Sequence, residues 1–170
     1  NEDFHQKLAT LSSKNIELKL AKRADLTFDR IVSDRIRIKQ VLTNLIDNAI
    51  KFTDKGSVSF GCVYQSGGVQ FYVSDTGIGI PKKLQAQIFE RFRQAEESMT
   101  RTHGGNGLGL SISKALVTMM GGEIWLDSLE GTGTTFYFNI PDVCKDKKIQ
   151  LPETEKICTE LNLMGKINLM

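Results

Sequence analysis

The sequence predicts an α+β fold, a two-layer sandwich in which a mixed, mainly antiparallel sheet is covered on one face by helices. Three observations predict it. Strand-like runs come in pairs, residues 57–64 with 69–74 and 123–128 with 134–140. Short glycine-containing turns join each pair, and amphipathic helical stretches stand before both of them. Grouped strands with helices able to cover one face are the pattern of a layered α+β domain rather than of alternating βαβ units.

Each element has a local reason. Residues 1–14 read as a short amphipathic helix carried by Phe4, Leu8 and Leu11, after which Ile16, Leu18 and Leu20 alternate as a strand. Phe28 and Ile31 mark a second, weaker strand. Asp34 is placed to cap a long helix running to about Phe52, and Asp54-Lys55-Gly56 breaks the pattern. On that helix Ile38, Val41, Leu42, Leu45, Ile46 and Ala49 recur at three- and four-residue spacing and form its apolar face. Ser66-Gly67-Gly68 is a hairpin signal between the first two paired strands. Pro81 is expected as the first residue of a helix through Ile88 and Phe89. Residues 93–105 are polar and aperiodic, a candidate lid. A helix from about Leu108 to Met120 should stop at Gly121-Gly122, and the closing hairpin turns through Gly131-Thr132-Gly133 and ends at Pro141.

Composition narrows the function classes. At 170 residues, 40% hydrophobic and 25% charged, the chain is long enough for one domain with its own core. A formal charge of +2, with Lys and Arg spread along the chain, gives no basic patch, so nucleic acid is not an expected partner. Cys62, Cys144 and Cys158 are odd in number and widely spaced, unlike a disulfide framework or paired zinc ligands, and fit a reducing compartment. No apolar run approaches the roughly 20 residues of a membrane-crossing helix, so no membrane contact is expected of this segment.

The chemistry concentrates in three places. Asn44, Asp47, Asn48 and Lys51 stack on one face of the long helix, opposite its apolar face. Amide and carboxylate oxygens with an ammonium suit a divalent cation such as Mg2+ together with phosphate oxygens. Asp75 ends a strand at an expected sheet edge, where the chain turns through Gly77 and Gly79. A carboxylate only accepts hydrogen bonds, so one fixed there would favour adenine, which offers an amine, over guanine, which offers a carbonyl. An ordinary Asp-Gly turn is the alternative reading. The third place is Gly104-Gly-Asn-Gly-Leu-Gly109, which opens a helix whose first amides are free to bind an anion. It lacks the GK[ST] ending of a P-loop and does not follow a strand, and a plain loop is its alternative. A tight turn explains Gly131-Thr-Gly133-Thr134 on its own, while Phe89 and Phe92 read as core or lid-anchoring residues. His103 is within reach of a phosphate or simply solvated, and His5 reads as structural.

In order and spacing these motifs resemble the ATP-binding catalytic domain of bacterial sensor histidine kinases, hybrid ones in particular, within the superfamily that also holds gyrase, Hsp90 and MutL. The resemblance spans residues 1–141 and leaves 142–170 as a tail or linker. Asn44 to Thr53 looks like the N box, Asp75 to Gly79 the G1 box, Phe89 to Phe92 the F box, Gly104 to Leu110 the G2 box and Gly131 to Thr134 the G3 box. The resemblance implies the Bergerat ATP-binding fold and, as cofactors, ATP and Mg2+. It implies that Asn48 ligates the metal with Asn44 supporting it, and that Lys51 touches phosphate, these three forming the catalytic set. Asp75 would bind the adenine amine, and Gly77, Gly79 and Thr134 would belong to the same nucleotide-binding set. Arg101 and the Gly105, Gly107, Leu108 and Gly109 backbone would close over the triphosphate. Asn106 departs from the Thr or Ser usual at its position, an expected tuning rather than a loss.

Hydrolytic members of the superfamily carry glutamate where this chain has Asn44. An amide is no general base, which costs a water nucleophile roughly 10² to 10⁴ in rate. A neutral histidine brings its own lone pair, so phosphoryl transfer to it needs mainly positioning and charge stabilisation. The resemblance therefore implies an ATP-dependent protein-histidine kinase domain acting on a helical dimerisation domain of the same or a sister chain. A response-regulator receiver domain is implied downstream. The implied location is cytoplasmic, with the parent protein anchored in the inner membrane or not. No histidine with acidic and proline neighbours precedes Phe4, so no phosphoacceptor is expected in these residues. A non-catalytic ATP-gated protein-interaction module is the alternative.

Overall fold

The computed structural model describes residues 11, 13–20, 33–65, 67–90 and 108–142. Within them the chain forms strand β1 (Ile16–Leu20), helix α1 (Arg35–Phe52), strands β2 (Gly56–Gln65) and β3 (Gly68–Asp75), a one-turn helix α2 (Lys82–Gln85), helix α3 (Gly109–Met119) and strands β4 (Ile124–Leu129) and β5 (Gly133–Pro141). The expected first helix beyond Leu11 and Ser13, the strand at Phe28 and Ile31, the lid at 93–105, and the tail from 143 lie outside the described residues. So do His5, Phe92 and His103.

The five strands make one sheet in the order β1-β2-β3-β5-β4, parallel between β1 and β2 and antiparallel elsewhere. This is the mixed, mainly antiparallel sheet expected of the fold class. Register aligns the inward positions into rows. Phe60, Val73, Phe136 and Leu126 form one row, and Cys62, Phe71, Phe138 and Ile124 the next. Phe71 and Phe138 stack with centroids 4.8 Å apart. Alternate residues point to opposite faces of a strand, so these rows present one apolar surface. The row at the end of that surface is different: Val58, Asp75, Thr134 and Ser128.

Helix α1 covers the apolar rows with Ile38, Val41, Leu42, Leu45, Ala49 and Ile50, all buried. Ile46, expected on the same face, is half-buried, and Ile50 takes the deeper place. Asp34 caps the helix as its position predicts, its Oδ1 accepting from Arg37 N at 3.1 Å. At the end of α3, Gly121 has φ +77 and Gly122 N donates to Val117 O at 3.0 Å, with Gly121 N to Thr118 O at 3.0 Å. These two bonds are a Schellman stop, for which glycine at the left-handed position is the favourable residue.

The second helix is shorter than the expected run from Pro81 through Ile88 and Phe89. Pro81 takes the capping position before Lys82, and only Lys82–Gln85 is helical. Leu84 N to Pro81 O, Gln87 N to Leu84 O and Glu90 N to Gln87 O are tight three-residue bonds, so the chain goes on to Phe89 as successive turns. Phe89 still reaches the core, edge-on to Phe136 at 6.2 Å.

One joint escaped the sequence reading. Lys14 Nζ donates to the carbonyls of Ile50 (3.2 Å), Lys51 (3.0 Å) and Thr53 (3.1 Å), and pairs with Asp54 at 3.4 Å. Last-turn carbonyls lack intrahelical partners and carry the negative end of the helix dipole, so a three-donor cation is a fitting cap. Its signal is long-range and leaves no periodicity. Lys14→Met should lower unfolding free energy by about 1–3 kcal/mol, the range for hydrogen bonds to charged groups, measured by urea unfolding.

Candidate functional site

The polar row at the end of the sheet, the C-terminal half of α1 and the start of α3 converge on one region. Asp75 ends β3, the central strand of the five, and not an edge strand. Its Oδ1 accepts from Gly77 N at 2.8 Å and from Thr134 N at 3.2 Å. Among the described residues Oδ2 has no hydrogen-bond partner, so half of the carboxylate is held and half is offered. Burial pushes the Asp75 carboxyl above its ordinary value, and the two backbone donors pull it partly back.

The loop after Asp75 is pinned against the end of α1. Ile78 N donates to Phe52 O at 3.2 Å, and a Cβ on Gly77 would overlap that same carbonyl. Gly79 has φ +68 and packs on the Leu129 carbonyl, leaving no room for a side chain. Thr76 secures the other flank, its Oγ1 accepting from Ser57 N at 3.0 Å. Glycines here serve close backbone approach, as expected, but to α1 and β4 of the protein itself.

On α1, Asn44, Asn48 and Lys51 follow at helical spacing and are all half-buried. Asn44 Nδ2 donates to the buried Ser113 Oγ at 2.9 Å, and its Oδ1 lies where a Cβ on Gly109 would stand. Asn44 thus braces α1 against the first turns of α3. Asn48 makes no side-chain hydrogen bond among the described residues. Lys51 Nζ sits 4.9 Å from the centre of the Phe52 ring, and burial lowers its pKa. An anionic ligand would offset that desolvation.

At the start of α3 Ile112 N donates to Leu108 O at 2.9 Å. Among the described residues the Gly109, Leu110 and Ser111 amides have no intrahelical acceptor. Gly109→Ala would drive a methyl into the Asn44 amide. It should cost about 1–3 kcal/mol in urea unfolding and separate Asn44 from Ser113. Of the expected site residues, Arg101, Gly105 and Gly107 lie outside the described residues. The remainder, Asn44, Asn48, Lys51, Asp75, Gly77, Gly79, Leu108, Gly109 and Thr134, belong to the elements that meet here. Sequence reasoning missed Ser128 and Gln85, which bond to this region from β4 and α2. The signal for Ser128 was a polar residue at an inward strand position.

Comparison with known proteins fits this geometry. Residues 33–143 match the family described as histidine kinase-, DNA gyrase B- and HSP90-like ATPase. The chain belongs to this family. It is 41% identical over 132 residues to the signal transduction histidine-protein kinase BarA of Escherichia coli K12, covering 75% of this chain and 14% of BarA. It is 45% identical over 111 residues to the sensor histidine kinase WalK of Bacillus subtilis, covering 64% of this chain and 18% of WalK. Among solved structures, full-length ShkA in complex with AMPPNP superposes with a TM-score of 0.70 at 33% identity, over 81% of this chain and 28% of ShkA. The catalytic domain of the histidine kinase ThkA gives 0.66 at 33% identity, over 83% and 88%. The chain spans about a seventh of the length of the BarA proteins it matches. Its fold is the Bergerat ATP-binding fold of histidine kinase catalytic domains.

Proposed function

We propose that this chain is a catalytic domain that binds Mg-ATP and passes the γ-phosphoryl group to a histidine on a separate helical dimerisation domain, in two-component signalling. The observation that carries the reading is the half-held carboxylate of Asp75, with Oδ2 open on the face of the sheet that α1 and α3 cover. The acceptor oxygen takes the adenine amine. Asn48 and Lys51 on α1 and the first amides of α3 answer the phosphates, and Arg101, Gly105 and Gly107 close over them.

Magnesium fits the donor set. Among the described residues no cluster of three His, Cys, Asp or Glu side chains stands ready for a metal. Mg2+ does not need one, since it keeps several waters and commonly shares substrate phosphates with one or two protein oxygens. The Asn48 carboxamide oxygen would hold it with Asn44 in support, and the ion would neutralise charge on the phosphates. Asn44 is an amide bonded to Ser113, so it cannot activate water. Transfer to a histidine follows as the favoured outcome, because the acceptor nitrogen needs no base.

The partners of this reading are the dimerisation domain of the same or a sister chain and a receiver domain downstream. The reading places this work at the cytoplasmic side of the parent protein; among the described residues no helix is long and apolar enough to cross a membrane. Incubating the protein with a dimerisation domain of its own parent and γ-labelled ATP should give acid-labile phosphohistidine. Nucleotide binding without any labelled histidine would favour the ATP-gated interaction module, and steady phosphate release without acceptor would favour an ATPase.

A further inference from the structure

We infer that Ser128 is a positioning residue for purine recognition: acting through Thr134, it turns a second hydrogen-bond acceptor toward the ligand beside Asp75. The inference rests on the nucleotide reading above. Its basis is the polar row Asp75, Thr134, Ser128, which lies across β3, β5 and β4 at the end of an otherwise apolar surface. On β4 the inward positions Ile124 and Leu126 are apolar, and Ser128 breaks that pattern where the row turns polar.

Hydrogen counting assigns the direction of each bond. Ser128 Oγ receives Ile80 N at 2.8 Å, lies 3.0 Å from Gly133 O and lies 2.9 Å from Thr134 Oγ1. A hydroxyl has one proton and two lone pairs, whereas a carbonyl only accepts. The Ser128 proton therefore goes to Gly133 O, and its lone pairs take Ile80 N–H and the Thr134 hydroxyl. Thr134 spends its only proton on Ser128. Its remaining acceptor capacity has no other partner among the described residues, and its own amide already holds Asp75 Oδ1.

The end of the row thus presents two neighbouring acceptors, Asp75 Oδ2 and Thr134 Oγ1, and no side-chain donor. An exocyclic amine has two hydrogens to give, directly or through a water, while a ring carbonyl has none. Gln85 steadies the arrangement from α2, its Nε2 donating to Ile80 O at 2.8 Å and Ser128 O at 3.0 Å. Without the Ser128 hydroxyl, Thr134 is released to rotate and can present its proton to the ligand.

The test is selectivity, because a general loss of folding weakens every nucleotide alike. ATP and purine riboside triphosphate, which lacks the 6-amino group, are titrated by calorimetry into the intact protein. Ser128→Ala should cut the preference for ATP about tenfold while changing affinity for the amine-free analogue by less than about threefold. Ser128→Thr, which keeps the hydroxyl, should retain most of the preference. Thr134→Val keeps side-chain shape and removes the acceptor, so it should match Ser128→Ala and gives the answer if that variant does not fold. Asp75→Asn is the control for the underlying reading. If it loses the preference while Ser128→Ala and Thr134→Val keep theirs, or lose both ligands equally, the role of Ser128 is overturned and the adenine site stands. If Asp75→Asn keeps the preference, both are overturned.

Discussion

Asp75→Asn should weaken ATP binding on the order of 10²-fold without lowering the stability of the ligand-free protein. The two effects have one cause. The Gly77 and Thr134 amides donate to Oδ1, which fixes the oxygen of an asparagine in the same place. The asparagine NH2 then replaces Oδ2, and a donor faces the adenine amine. Meanwhile the substitution removes a buried carboxylate whose ionisation the surroundings disfavour. With a raised folded-state pKa, the wild-type residue contributes stability that is full below the unfolded-state value and is lost as pH rises through the folded one. The Asn variant should therefore gain in melting temperature relative to wild type as pH climbs from the ordinary carboxylate range through that raised value. ATP affinity of the wild type should fall on acidification at a pH above the ordinary aspartate range, because the protonated acid offers a donor. Calorimetric titration and thermal melts across pH measure both. Unchanged ATP affinity in the variant would remove Asp75 from the site.

Why Asp75 was legible in the sequence and Ser128 was not follows from the range of the interactions. Asp75 announces itself locally: an acid at the end of an alternating strand, followed by glycines that only a tight turn needs. Helix α1 was equally plain, because its two faces repeat at helical spacing and Asp34 marks its start. Ser128 gains its meaning from strand register, which puts it beside Thr134 and, one strand further, in line with Asp75. Lys14 is the same kind of case, a single side chain reaching 36 to 39 residues along the chain to the end of α1. The expected helix after Pro81 failed for a related reason. Leu84, Ile88 and Phe89 have helical spacing, but three-residue turn bonds and the Gln85 bonds to Ile80 and Ser128 bend that segment onto the sheet. Asp75, expected at a sheet edge, instead ends the central strand, since the parallel addition of β1 and the insertion of β5 between β3 and β4 make β3 central.

Asn48→Ala should abolish the magnesium dependence of nucleotide binding and reduce phosphoryl transfer on the order of 10²-fold or more, the scale for removing one preorganised electrostatic group. The fold gives this substitution unusual clarity. Asn44, one turn earlier, is tied to Ser113 and pressed against Gly109, so its replacement would disturb the α1–α3 contact along with any chemistry. Asn48 is half-buried and has no side-chain hydrogen bond among the described residues, and alanine is the better helix former by a few tenths of a kcal/mol. Stability should therefore stay within about 0.5 kcal/mol of wild type, and a functional loss cannot be a folding loss. Calorimetry in Mg2+ and in chelator separates the contributions. Wild type should bind ATP more tightly with the ion, and the variant should bind equally in both conditions at the wild-type level seen in chelator. Lys51 provides the internal contrast: Lys51→Met should weaken ATP in both conditions, because its charge meets phosphate whether or not the metal is bound. A magnesium effect of full size in Asn48→Ala would place the ion on other oxygens and leave Asn48 a bystander on the polar face of α1.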